Sequence, residues 1–463
     1  MNIDFHYFAT FFAAYCSGFK DEKKAKQIAW AAQMVDELTM EVAKKYKDKL
    51  GDNLVATVQS TDEMISEYTS YEVYCPNVHF LYDPNRPLQQ TVRGIWVPFH
   101  FFPGHLSDEK FSAENIVPIT SWEKNFFKQL DTLDKKYINA CLRLRCAPNS
   151  TGIKEMLNYI KKQYHKYKDK NEEEALYAIG IGMHVLADTW SHDDFCGVPL
   201  YYTSKICYCH HENFKYKSTF GEGIYHIAAD REYYKNIMDE VKYQIDREKV
   251  YYHKELRLNS IIFAGHGLAG YYPDYDFIKY YYYPRYSCPP NLSEIIKMNV
   301  DVEGIQIPDN PSKYKDAFLA MCNAISYILD KEKTDFNLLD TTNFGSKADY
   351  IKGKIFDIIP KKIPYIQETP EYYEGIVKDR CNQWKSYLER IEHLHPYEFK
   401  LLSGEIKQFA IQAKSYRDYA LNWLERKMKE IFQDGPPFSF DISTIDQYLY
   451  HYCINDPIFY SLQ

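Results

Sequence analysis

The sequence predicts a mainly α-helical protein, a multi-helix bundle with small β hairpins and a helical C-terminal extension. Two observations carry this. Apolar residues recur at helical spacing through much of the chain, as at Leu176, Ile179, Met183, Leu186 and Trp190. Strand-like runs are short and confined to residues 50–100 and 198–227.

Taken in order, residues 4 to 18 form an aromatic-rich helix with Phe5, Phe8, Phe11, Phe12 and Tyr15, ending at Gly18. Asp4 and His6 stand at its start. A helix over 21–48 carries Ile28, Ala31, Ala32, Val35 and Leu38, with Asp36 beside that stripe. A carboxylate there needs a partner, because an unpaired buried charge is very costly. Glu37 reads as solvated. Leu54–Val58 and Thr91–Val97 read as short strands, and Pro98–His105 as a rigid loop that holds His100 between aromatic residues and prolines. His79 and His105 lack a local partner.

Helices are expected over 120–145 and 151–168, then a central helix through His184, Asp188 and His192. Its Gly180 and Gly182 cost helix stability and imply that another backbone passes close by. Residues 198–227 read as irregular or hairpin-like. Their Cys207-Tyr-Cys209-His210-His211 tract matches no standard zinc spacing and reads as a surface hairpin. Helices resume at 228–248 and 254–269, leading to His266, Pro273 and Asp274. Beyond Pro289-Pro290, helices are expected at 312–330, 346–359, 370–394 and 404–432, with no chemistry of their own. This divides the chain into a metal-binding helical domain, 1–290, and a helical C-terminal extension packed on it, 291–463.

The chain has 463 residues, a 45% hydrophobic share and a net charge of -8, a balance that leans against a long polyanion such as nucleic acid. Its 44 Tyr include the run Tyr280–Tyr283, read as packing sooner than as a lipid surface. Eleven Cys at irregular spacings imply reduced thiols and a cytoplasmic location. No Lys or Arg precedes the first apolar run, so a signal peptide's basic start is absent, and no stretch of about 18 apolar residues offers a transmembrane helix.

The chemistry sits on the central helix. His184 and Asp188 are four apart and stack on one face, and His192 continues the line with a drift of about 40° per turn. Two imidazoles and a carboxylate in line suit zinc. Read blandly, His184 faces the core and Asp188 pairs locally, while Ser191, Asp193 and Asp194 are supporting groups or a solvated helix end. The three together favour a metal. The full candidate set is Asp4, His6, Asp36, His100, His184, Asp188, His192, His266 and Asp274.

In that order these residues resemble the zinc-dependent phospholipase C and P1 nuclease family, an all-helical fold with a central His-x3-Asp helix. More closely, the chain resembles an uncharacterised bacterial family. The shared segments are Asp4-Phe-His-Tyr7, Gln33-Met-Val-Asp36, Pro98-Phe-His-Phe-Phe-Pro-Gly104, His184-x3-Asp188-x2-Ser191-His192 and Gly265-His266…Pro273-Asp274. Three features depart from the phospholipase pattern. Asp188 to His192 is shorter, His266 and Asp274 are eight apart instead of four, and Asp4 stands in for an N-terminal amine ligand, which the chain would offer only with Met1 trimmed. The resemblance implies a phospholipase C/P1 nuclease-like bundle holding two or three zinc ions. Asp36, His100, His184 and Asp188 would surround one, His192, His266 and Asp274 a second, and Asp4 or His6 with Asp188 a third. It further implies Asp36 as general base and hydrolysis of a small phosphoester, either phospholipid or nucleotide in type. The other reading is a non-catalytic, metal-stabilised scaffold that binds a partner.

Overall fold

The computed structural model describes residues 1–58, 92–107, 143–193, 195–197, 206–211, 272–277, 280–284, 309–341, 370–390, 392–396, 398–402 and 404–431. These residues are mainly helical. A π-helical stretch, Asp4–Ala9, runs into α1 (Thr10–Cys16). Then come α2 (Glu22–Glu37), α3 (Met40–Lys45) and α4 (Lys47–Leu50). A second π-helical stretch spans Val92–His100. After it come α5 (Thr151–Tyr167), α6 (Glu172–Ser191), α7 (Asn310–Leu329), α8 (Pro370–Arg390) and α9 (Ile406–Ile431). Among the described residues the sheet consists of two strands, β1 (Ile206–His211) and β2 (Tyr280–Pro284), paired antiparallel.

Helix α6 is the axis of the fold. Every residue from Ala175 to Ser191 is buried. Helices α2, α5, α7 and α9 pack around it, as expected of a helix that is apolar nearly all round. Its polar residues His184 and Asp188 therefore lie inside whichever way they face. Gly180 allows the tightest of these contacts, because a Cβ there would lie 2.4 Å from the Ile28 carbonyl oxygen and 2.6 Å from Ala31 Cβ on α2. Gly182 meets the side chain of Ile160 on α5 and not a backbone. The core is continuous from Phe5 through Leu186 to Phe318, Trp384 and Trp423, so helices beyond residue 291 share it.

Several expectations need correction. The helix over 21–48 is three helices, because Leu38 leaves helical geometry and the Thr39 hydroxyl accepts the Val42 N–H, capping a new start. Leu54–Val58 forms no strand: Thr57 N–H donates to the Leu38 carbonyl and its hydroxyl to the Val35 carbonyl, which ties the segment to the end of α2. Of the strand expected over Thr91–Val97, the described part, Val92–Val97, belongs instead to a π-helix packed on α6 and α9. A short buried apolar run does not separate helix from strand by periodicity. Within 198–227, expected to be irregular or hairpin-like, the described residues Ile206–His211 pair with a segment some seventy residues later that contains the run Tyr280–Tyr283. Glu37 is half-buried and accepts a hydrogen bond from Gln33. Residues 120–142 of the helix expected over 120–145 lie outside the described residues, as do the helices expected over 228–248, 254–269 and 346–359, His79 and His266. No described helix is long and apolar enough to cross a membrane.

Candidate metal centre

Asp188 stands at the middle of the site. Its Oδ1 lies 2.8 Å from the Met1 amino group and 3.1 Å from His6 Nε2. Its Oδ2 lies 3.1 Å from His100 Nδ1 and 3.2 Å from His184 Nε2. Asp36 divides its oxygens in the same way, Oδ1 being 3.7 Å from His184 Nε2 and 3.8 Å from His100 Nδ1, while Oδ2 is 3.6 Å from His6 Nε2. Asp274 Oδ1 closes the other side, 3.0 Å from both the Met1 amino group and His192 Nε2.

Three of the imidazoles are fixed from behind by backbone carbonyls. His184 Nδ1 donates to the Ala32 carbonyl, His100 Nε2 to the Thr57 carbonyl and His192 Nδ1 to the His100 carbonyl, at 2.9, 2.9 and 2.7 Å. Each bond sets the tautomer and turns the other nitrogen toward a carboxylate, the arrangement that orients metal-binding histidines. Ring contacts add restraint, with His6 stacked on His184 at 3.9 Å and Phe101 on His192 at 4.4 Å.

His100 Nδ1 and His184 Nε2 are 3.4 Å apart. With Asp188 Oδ2 and Asp36 Oδ1 they give separations of 3.1 to 3.8 Å, close to the roughly 3.3 Å edge of a tetrahedron built on zinc bonds of about 2.0–2.2 Å. Two sets, His6 with Asp36 and His184, and His100 with His184 and Asp188, offer ligand atoms close enough to share an ion. His6 makes the need plainest. Its ring is fully buried, yet neither nitrogen has a hydrogen bond of acceptable geometry, although Nε2 lies among carboxylate oxygens. Such a pair of orphaned nitrogens fits a cation's ligand.

Electrostatics point the same way. Asp36 and Asp188 sit in the last turns of α2 and α6, where unpaired carbonyls add partial negative charge. Three carboxylates share one ammonium, which leaves room in the cluster for further positive charge. Burial opposes the charge on the Met1 amino group, but Asp188, Asp274 and Asp36 raise its pKa to about 11. Burial likewise opposes ionisation of Asp188, yet the Met1 ammonium, His192, His184 and His6 hold it well below the usual carboxylate range. Burial, helped by His184 and the Met1 ammonium, pushes His6 down to about 4. At His100 burial is outweighed by Asp188, Asp36 and the Thr57 carbonyl, and its pKa rises. Asp36 and Asp274 are the members partly open to solvent, with side chains 25% and 16% exposed.

Of the nine candidates, His6, Asp36, His100, His184, Asp188, His192 and Asp274 come together, and His266 lies outside the described residues. Asp4 faces elsewhere. It is buried near Asp276 and Arg380, and burial and Asp276 raise its pKa well above normal against the pull of Arg380. Residues two apart on a helix do not share a face, so Asp4 turns away where His6 turns in. The supporting groups anticipated near the helix end serve otherwise: Ser191 donates to the Asp188 carbonyl and Asp193 pairs with Lys313. Thr57 and Ala32 escaped the sequence reading because they act through backbone atoms, which leave no residue signature, and the N-terminal amine that Asp4 was expected to replace is itself in the cluster, on Met1. Cys207–His211 forms β1 and its pairing with β2.

No curated protein and no solved structure matches the chain. One family model does, over residues 1–460 of the 463. The buried His/Asp cluster is thus set in a chain that belongs, over nearly its whole length, to the family of unknown function DUF6765.

Proposed function

We propose that the cluster binds two or three zinc ions and that the protein is a metal-dependent hydrolase of a small phosphoester, phospholipid or nucleotide in type. The observation that carries this is the anchoring of His100, His184 and His192 by backbone carbonyls, each with its second nitrogen turned to a carboxylate. Asp36, His100, His184 and Asp188 would hold one ion. His6 with the other oxygen of Asp188 would hold another, and His192 with Asp274 a further one, which leaves Asp36 Oδ2 unbound. Such ions supply Lewis acidity and an activated water. Asp36, half-open at the end of α2, is the general base. The order of these residues along the chain, which resembles the zinc-dependent phospholipase C and P1 nuclease family, supports the same reading, with residues 1–290 as the metal-binding part. The buried thiols fit a cytoplasmic location.

Elemental analysis of the purified protein should find zinc. A screen of phosphodiesters and phospholipids should find hydrolysis that a chelator abolishes and zinc restores, and that Asp36→Asn removes. Absence of bound metal refutes the reading. The deep burial of His6, His184 and Asp188 favours a second reading, in which the ions only hold the helices together. Chelation would then lower the melting temperature with no turnover of any phosphoester.

A further inference from the structure

Asp274 differs from the other carboxylates in having no long helix to fix it. It ends a single 3-10 turn, Tyr272–Asp274. Its backbone is instead held by side chains that reach in from distant segments. Asn310, the first residue of α7, donates through Nδ2 to the Pro273 carbonyl at 3.3 Å and to the Tyr275 carbonyl at 2.9 Å. Tyr314, one turn further on, donates to the same Pro273 carbonyl at 3.2 Å. Asn2 donates to the carbonyl of Asp274 itself at 2.8 Å. Three successive carbonyls are thus each held by a side-chain donor, and Asn310 grips the two that flank Asp274.

This rests on the cluster being a cation site: we infer that Asn310, assisted by Tyr314, is a positioning residue that holds Asp274 against His192 for cation binding. An amide N–H pair aimed at carbonyls i and i+2 leaves the intervening residue little freedom to turn. The side chain of Asp274 is thereby committed to His192 and the Met1 amino group, and that of Asp276, two residues on, points the other way to Arg380. Both of these Asn310 bonds are made to backbone carbonyls, so their effect on Asp274 passes through the backbone. The C-terminal third of the chain supplies this support through α7 and α8.

The same helix contains its own control. Asn323 also donates through Nδ2 to two carbonyls two residues apart, Leu338 and Asp340, both at 2.8 Å, in a place with no cluster residue. Asn310→Leu and Asn323→Leu remove equivalent bonds without adding charge. Each protein would be stripped with chelator and dialysed against zinc. Zinc per chain would then be measured by elemental analysis, and affinity by competition with a chromophoric chelator. The wild type and Asn323→Leu should bind equally, whereas Asn310→Leu should lose one zinc per chain or hold its weakest zinc at least tenfold less tightly. Tyr314→Phe, which removes a single donor and keeps the ring packed on Phe5, should weaken that zinc by threefold or more. Unchanged binding in Asn310→Leu, or in Tyr314→Phe should Asn310→Leu not fold, overturns the positioning role and leaves the cluster intact. Equal loss in Asn323→Leu overturns it as a general effect of stability. A wild type that binds no zinc overturns both this role and the cation site.

Discussion

Alanine at position 180 should force α6 away from α2 and weaken fold and site together. The added Cβ would stand 2.4 Å from the Ile28 carbonyl oxygen, 2.6 Å from Ala31 Cβ and 3.0 Å from the Ala32 nitrogen, all on α2, which is backbone or bonded directly to it and has no rotamer to yield. Reaching the 3.4 Å of ordinary contact requires the helices to part by about 1 Å. Overpacking of this kind costs roughly 1–3 kcal/mol, and three contacts at once argue for the upper end. Alanine returns about 1 kcal/mol through helix propensity. A net loss of about 2 kcal/mol follows, a fall of roughly 2 °C in melting temperature for a chain of this size. The same 1 Å stretches the 2.9 Å bond from His184 Nδ1 to the Ala32 carbonyl and separates His184 from Asp36, which rides on α2. Loss of a bond that orients a metal-binding histidine weakens affinity roughly 10–100-fold. Thermal melts with and without zinc, together with chelator competition, read both effects. Gly375→Ala on α8 is the control: it is exposed, nothing lies within 4 Å of its Cβ position, and it should be stabilising by about 0.5–1 kcal/mol with zinc binding unchanged. A Gly180→Ala protein as stable as the wild type and equally tight for zinc would refute the close contact and its link to the site.

Other outcomes are expected. Asp188→Ala should lose zinc and thermal stability together, because it removes the carboxylate on which five nitrogens converge, while Cys209→Ala should leave metal content unchanged; elemental analysis and melting curves decide both. In chelator-treated protein, His6 stays neutral down to about pH 4 when folded but titrates near 6.5 when unfolded. Between those values the unfolded chain binds a proton that the folded chain refuses, so stability falls as pH falls, by on the order of 3 kcal/mol. His6→Gln removes that term, and its stability should therefore fall less than the wild type's over this window. Asp276, pushed up to about 6 by burial against the pull of Arg380, acts in the opposite sense but is common to both proteins. Parallel stability curves would refute the reading of His6. Thiol titration under denaturing conditions should count all 11 Cys, with Cys146, Cys322 and Cys381 free thiols among the described residues; a mostly disulfide-bonded protein would contradict the reduced state.

Much of this protein is legible in its sequence, because the legible part is local. His184 and Asp188 share a face by the helical period alone, and Gly180 marks a close neighbour because a buried glycine in a helix costs stability. The helical character of α2, α5, α6, α7, α8 and α9 follows from apolar spacing, and Asp36 announces itself as a carboxylate beside a core stripe. What only the tertiary structure decided is non-local or carried by backbone atoms. Position at the start of the first helix, with the family resemblance, offered either Asp4 or His6 to the cluster. Packing chose His6 and sent Asp4 toward Asp276 and Arg380, since residues two apart on a helix cannot both face one point. The carbonyls of Ala32, Thr57 and His100 that aim the histidines belong to no residue type, and any sequence could supply them. The pairing of Ile206–His211 with Tyr280–Pro284 and the grip of Asn310 on the Asp274 segment join residues tens of positions apart. Such contacts depend on where the packed helices bring the chain back together, and short-range periodicity is silent about that.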